Sequence, residues 1–380
     1  MNLSEMYAHA EKALSRVDFE KIFPGFHRFD FALYTSGEVC LNGEILPRDE
    51  RFCGNTAIDF DGRQIAIWDI ELDPVEDTER LAASLVHEML HCRQKASGER
   101  RFPSDLALLD YPTDEVNLRE KHSENLCLAE CFEHESRSAL EKFCAIRNAR
   151  IKLHPKAARQ ELFAETIEGT AEYAGLCALR QLDEGKFRRE AEVYAEKLKS
   201  CGKILLDPRR MTYFSGAVFL LCLAKLGIAV KNDFGSELSL YEQNRITEKA
   251  ELSGAEYAFI APLCAADFSA KAEKIAAHIA AAHFVECAAR ICGYDPMNMF
   301  RRGNKIYCSH FVFLDCGDRT KSIFEPTVLE LEDGSNDRIS GYWRQAKSYV
   351  AVSRRLCPRR SHNRPKTKTL PCQSAGERLL

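Results

Sequence analysis

The spacing of apolar positions changes three times along the chain. Residues 1 to 23, MNLSEMYAHAEKALSRVDFEKIF, mix charge into every turn and predict an amphipathic first helix. From Phe29 to Leu46 (FDFALYTSGEVCLNGEIL) and from Thr56 to Leu72 (TAIDFDGRQIAIWDIEL) the chain alternates or runs apolar around glycine-containing turns, with Asp61-Gly62 as a hairpin signal. Residues 1 to 73 therefore predict a helix followed by a small, mainly antiparallel sheet. Asp73-Pro74 breaks that pattern, and Asp73 or Asp77 can cap the helix that follows.

From 74 to 300 nearly every segment has helical period. NLREKHSENLCLAECFEHESRSALEKFCAIR from Asn117, AARQELFAETIEGTAEYAGLCALRQL from Ala157 and CAADFSAKAEKIAAHIAAAHFVECAARI from Cys264 are long and rich in helix formers. After GYDPMNMFRRGNK the period returns to two in IYCSHFVFLDC and SIFEPTVLELED, predicting a C-terminal β segment, a sheet or small barrel, over 301 to 352. Residues 353 to 380 are basic, contain prolines and carry little apolar content, and are expected to form a disordered tail. The expected class is α+β, with a small N-terminal antiparallel sheet, a large mainly helical core and a C-terminal β segment.

Composition narrows the function. At 380 residues and 45% apolar content the chain can bury a sizeable core. A net charge of −4 gives no general attraction to nucleic acid or anionic lipid, which leaves the basic stretch from Arg354 to Lys368 as the local candidate for nucleic acid. The most apolar run, SGAVFLLCLAKLGIAV from Ser215, is broken by Lys225 and two glycines, short of the roughly 18 to 20 apolar residues a membrane span needs. The sixteen cysteines are scattered without a CxxC pair, and the N-terminus lacks the apolar core of a secretory signal. Reduced thiols and a cytoplasmic location are the expectation.

Candidate chemistry begins at SLVHEMLHCRQ, from Ser84. On a helix, residues four apart share a face, so His87 and His91 can offer two imidazole nitrogens to one metal ion, while Leu81, Leu85 and Met89 pack into the core. Glu88, beside the first ligand, can hold a water acidified by the ion. A catalytic zinc needs a third protein ligand. Glu161, Glu165, Glu168 and Glu172 fall at spacings of four, three and four on an otherwise apolar helix, and carboxylates buried on one face require a cation or basic partner. His122, His134, His154, His278 and His283 have no partner at ligand spacing and read as surface or satisfied core histidines.

His87-Glu88-xx-His91, followed by Glu168-Gly169-xx-Glu172-Tyr173 (EGTAEY) and by Tyr213-xx-Gly216 (TYFSGAVFLLCL), resembles the gluzincin metallopeptidases over about residues 56 to 225. The resemblance implies a zincin-like fold and one zinc ion per chain held by His87, His91 and Glu168. It implies that Glu88 is the general base that later delivers its proton to the leaving amine, and that Tyr213 donates a hydrogen bond to the oxyanion. Glu165 and Glu172 would orient a ligating histidine, and either could replace Glu168 as third ligand. Gly169 is expected to let its helix approach the HExxH helix closely, and Ile65 to Ile70 to offer the edge that an extended peptide or protein substrate joins. The separation of His91 from Glu168 is far longer than in gluzincin aminopeptidases and no GxMEN motif is present, so amino-terminal recognition does not carry over. Two other readings remain: a catalytically inactive, peptidase-like binding protein, and a DNA-associated SprT-like protease. The latter is suggested by HEML with a basic tail but would need a downstream histidine ligand, the next being His122.

Overall fold

The computed structural model describes residues 2 to 345 apart from 76, 247, 248 and 250; the expected tail lies outside the described residues. The first helix, α1 (Leu3–Leu14), starts at a reciprocal cap in which Asn2 and Glu5 each satisfy the other's backbone N–H. After the short α2 (Phe19–Ile22) come β1 (Asp30–Tyr34), β2 (Glu38–Leu41), β3 (Glu44–Pro47), β4 (Thr56–Phe60) and β5 (Arg63–Asp69), which form one sheet in the order β3-β2-β1-β5-β4. Asn42-Gly43 and Asp61-Gly62 turn two of its hairpins with positive φ at both residues, the conformation that two-residue hairpins favour.

The sheet is mixed rather than purely antiparallel: β1 and β5 run parallel, Asp30 opposite Ile65 and Tyr34 opposite Asp69. The apolar pattern explains the order. In β5 the side chains of Ile65 and Ile67 enter one core while Ala66 and Trp68 enter another, so the strand is buried on both faces and takes an inner position. The more polar β4 is left at the edge. Ile65 to Ile70 is therefore not the edge expected for substrate addition. The free edge beside it belongs to β4, and there the Ala57 carbonyl accepts a hydrogen bond from Lys95 Nζ.

One face of the sheet carries α1 and α3 (Thr78–Ala96), the latter capped by Asp77. Then follow α4 (Asp105–Leu108), α5 (Glu115–His134), α6 (Arg137–Leu153), α7 (Pro155–Ala164) and α8 (Thr170–Leu182), the last two continuous through a single π turn, Glu165–Gly169. After α9 (Glu184–Leu198), α10 (Pro208–Lys225) is apolar on nearly every side and packs among α5, α7, α8 and α9, as an all-round apolar helix must. The short α11 (Leu240–Asn244) and the long α12 (Ile260–Ala281) complete the helical part. No helix among the described residues is long and apolar enough to cross a membrane.

The C-terminal part consists of β6 (His283–Tyr294), β7 (Met299–Arg302), β8 (Lys305–Cys308), β9 (Val312–Asp315), β10 (Thr320–Ile323), β11 (Thr327–Leu331) and β12 (Arg338–Arg344), in the antiparallel order β10-β9-β6-β12-β11-β8-β7. The β segment thus begins at 283, not 301. HFVECAARI, expected as the end of a helix, is strand, because Val285, Cys287, Ala289 and Ile291 place alternate residues against the β core and pairing with β9 and β12 outweighs alanine's helix propensity. The sheet is strongly curled. β10 and β11 stand four positions apart, about 19 Å in a flat sheet, yet the four residue steps from Ile323 to Thr327 span at most about 14 Å. Leu106 of α4 inserts into this β core and ties it to the helical part.

Candidate metal centre

Three helices supply the site. Along α3, Leu85, Val86, Met89 and Leu90 are buried, which fixes the helix and brings His87 and His91 side by side with Nε2 atoms 3.0 Å apart. From the π turn, Glu168 reaches across so that its Oε2 lies 3.2 Å from His91 Nε2 and 3.7 Å from His87 Nε2. The ligand atoms of the three residues all lie within 4.8 Å of one another. From α10, Tyr213 lays its ring nearly parallel to His87, centroids 6.0 Å apart.

The approach of these helices depends on glycine. A Cβ at Gly175 would stand 2.9 Å from the Ala83 carbonyl oxygen and 3.8 Å from His87 Cβ, so Gly175 allows α8 to meet the HExxH helix. Gly169 does a different job from the one expected: it faces Gly216 of α10, whose Cα would be 2.6 Å from an added Cβ.

The π turn divides the carboxylate stripe. One extra residue in a turn rotates everything beyond it by roughly 100° relative to an unbroken α-helix, and the four glutamates face two environments. Glu161 accepts from Lys121 Nζ (2.5 Å), Arg150 Nη2 (2.8 Å) and Tyr111 Oη (2.7 Å). Glu165 accepts from Arg147 Nη1 (2.6 Å) and Ser215 Oγ (2.5 Å). Glu165 is therefore neither beside the histidines nor available as third ligand, and its counter-charge is a buried arginine. Glu124 joins the same network: burial raises its pKa, but Arg147, Arg150 and Lys121 outweigh that and hold it down at about 2. Glu168 and Glu172 face α3. Glu172 Oε1 lies 3.6 Å from His87 Nδ1, and its Oε2 accepts from Tyr194 Oη at 2.6 Å.

The electrostatics of this pocket favour positive charge. Burial opposes ionisation of Glu168, yet His91, His87 and Arg209 bring its pKa well below the usual carboxylate range. Burial likewise opposes charge on His87, but Glu172 first and then Glu168 and Glu88 raise its pKa to about 9. Glu88 is the exception: burial raises its pKa against the pull of the two histidines, and its Oε2 has no hydrogen-bond partner among the described residues. Tyr213 is pushed well above its ordinary value by burial and then by Glu168, with Arg209 opposing.

Sequence reasoning missed three neighbours of the site. Arg209, one turn before Tyr213, donates to Glu168 Oε1 at 2.8 Å and also pairs with Asp105, so only Oε2 of Glu168 faces the histidines. Gln94, one turn beyond His91, meets His91 Nδ1 at 2.7 Å. Tyr194 comes from α9 to hold Glu172. Only Gln94 and Arg209 carried any signal, as polar residues at i+3 and i−4 from motif residues on apolar helices. His122 is elsewhere, edge-on against Tyr257 and Phe259.

The donor set fits a zinc ion. Two imidazole nitrogens and one carboxylate oxygen converge, Glu168 Oε2 takes no hydrogen bond among the described residues, and such a cluster of acceptors is unfavourable unless a cation or proton lies among them. No protein-family model, curated protein or solved structure matches the chain.

Proposed function

We propose that this protein is a zinc-dependent, gluzincin-like metallopeptidase with a zincin-like fold. The observation that carries the reading is the convergence of His87 Nε2, His91 Nε2 and Glu168 Oε2 next to Glu88, whose Oε2 has no hydrogen-bond partner among the described residues. His87, His91 and Glu168 would hold one zinc ion, which supplies Lewis-acid polarisation of a peptide carbonyl and of water. The chain's own residues do the rest. Glu88, whose raised pKa suits a group that gains and loses a proton, takes one from water and hands it to the departing amine. Tyr213, beside His87, keeps its phenolic proton and donates it as a hydrogen bond to the developing oxyanion. The Glu172 carboxylate, 3.6 Å from His87 Nδ1, favours the ring orientation that turns Nε2 toward the site, and Arg209 holds the far oxygen of Glu168. The substrate would be a peptide or protein. The free thiols suit a reducing compartment, the cytoplasm.

Metal analysis by mass spectrometry tests the site: about one zinc per chain is expected, lost in Glu168→Gln. Glu88→Gln should retain the zinc and lose about 10²- to 10⁴-fold in cleavage of a peptide library. A wild-type chain that keeps zinc but cleaves nothing would instead support the binding-protein reading, and full zinc retention in Glu168→Gln would remove Glu168 as a ligand.

A further inference from the structure

We infer that Gln94 is a positioning residue of the metal centre: it selects which ring nitrogen of His91 bears the proton and ties that ring to the turn that carries Glu168. The inference rests on reading His87, His91 and Glu168 as metal ligands. The Gln94 side chain is 1% exposed, and each polar atom of its amide is engaged. Its Nε2 lies 2.9 Å from the Ile167 carbonyl oxygen and 3.1 Å from Thr170 Oγ1, and its Oε1 lies 2.7 Å from His91 Nδ1.

These contacts fix the direction of the Gln94 amide and with it the proton on one ring nitrogen of His91. A carbonyl oxygen only accepts, so the Gln94 atom against Ile167 must be the NH2 group. The Thr170 hydroxyl spends its own proton on the Thr166 carbonyl at 2.7 Å, so it too accepts from Gln94. The amide oxygen is thereby turned toward His91 and can only accept, which places the imidazole proton on Nδ1. In the neutral ring His91 Nε2 then carries the lone pair, directed at the gap shared with His87 Nε2 and Glu168 Oε2. Ile167 and Thr170 flank Glu168 in sequence, so one side chain from α3 orients a ligand on its own helix and holds the turn that presents the ligand on the other. An aliphatic side chain at 94 would free the His91 ring to rotate or adopt the other tautomer.

The two roles separate by substitution. Gln94→Met removes acceptor and donor at similar volume; Gln94→Glu keeps the acceptor for His91 Nδ1–H and removes the donors to Ile167 and Thr170. Zinc dissociation constants of the full-length, metal-stripped chains are measured by competition with a chromophoric chelator, beside melting temperatures without metal. Gln94→Met is expected to bind zinc about 10- to 100-fold more weakly, the range for loss of a group that orients a histidine ligand, while Gln94→Glu stays within about threefold of wild type. Both variants should melt lower than wild type, because both leave the Ile167 carbonyl short of a donor. Wild-type zinc affinity in Gln94→Met, or equal losses in both variants, would overturn the role. If Gln94→Met does not fold, Gln94→Glu decides alone: near-wild-type affinity supports the inference and a loss of about tenfold or more refutes it. A wild-type chain that takes up no zinc overturns the inference together with the metal reading, whereas zinc-binding wild type with unaffected variants removes only the role of Gln94.

Discussion

Gly169→Ala links the packing of the fold to the geometry of the site. The added methyl would stand 2.6 Å from Gly216 Cα, 3.1 Å from the Gly216 carbonyl carbon and 3.2 Å from the Thr212 carbonyl oxygen. All three are backbone atoms of α10, so no side chain can turn aside. Non-bonded carbons settle at about 3.5–4.0 Å, which means that α8 and α10 must part by about 1 Å near the π turn. Helix propensity acts in the other direction, since alanine is favoured over glycine by about 1 kcal/mol in a helix interior. Overpacking typically costs about 1–3 kcal/mol, and contact with backbone lies at the upper end, so a net loss of about 1–2 kcal/mol is expected. With an unfolding entropy of about 2 cal/mol/K per residue, a folded unit of this size would melt about 1–3 °C lower. Glu168 immediately precedes the methyl, and a displacement of that size would undo the 3.2 Å approach of Oε2 to His91 Nε2. Zinc affinity should then fall by about tenfold or more. Circular dichroism melting of the metal-free chain and chelator competition read the two effects. A variant that melts at or above wild type and binds zinc equally well would refute the reasoning.

Three further outcomes follow from the charges. Arg147→Met leaves Glu165 and Glu124, both fully buried, short of a cationic partner, and should lower unfolding stability by about 3–5 kcal/mol in urea titrations; an unchanged midpoint would contradict the network. His87 has its pKa raised from 6.5 to about 9, so in the metal-free chain its contribution to stability is full below pH 6.5 and lost as pH rises through about 9. Apparent zinc affinity should rise over that same interval, because the ligand nitrogen must first lose its proton; chelator competition showing a flat profile would count against it. Glu124 is held at about 2 rather than 4.5, so its contribution is present above pH 4.5 and lost only as pH falls through about 2, which near-ultraviolet circular dichroism should show as native packing kept at pH 4.

Much of the site was legible because its parts lie on helices whose period can be read directly. His87 and His91 share a face by spacing alone, and the structure brings both to Glu168 and Tyr213. Glu165 was misplaced by the same rule, since a strict α-helical period puts it in line with Glu168 and takes no account of a π turn between them. The strand β6 was misplaced because alanine-rich composition signals helix locally, whereas its partners β9 and β12 lie downstream in the chain. Gly169 was expected to face α3 and faces α10 instead, a choice made by the order of helix packing.

The sequence by itself determined most of the elements and the two imidazole donors: the apolar run of β5, turn glycines with positive φ, capped helices and two histidines one turn apart all follow from contacts within a few residues, β6 being the exception. Only the tertiary structure decided how the carboxylates divide between a buried arginine network and the histidines, which strand forms the edge, and which glycines allow the helices to meet. These depend on long-range packing, where Arg147 and Arg150 from α6 neutralise Glu165 and Glu161 while Arg209 from α10 takes one oxygen of Glu168 and leaves the other facing His87 and His91. Charges buried in a low-dielectric interior must find partners, and those partners come from helices whose sequence positions carry no local mark of the pairing.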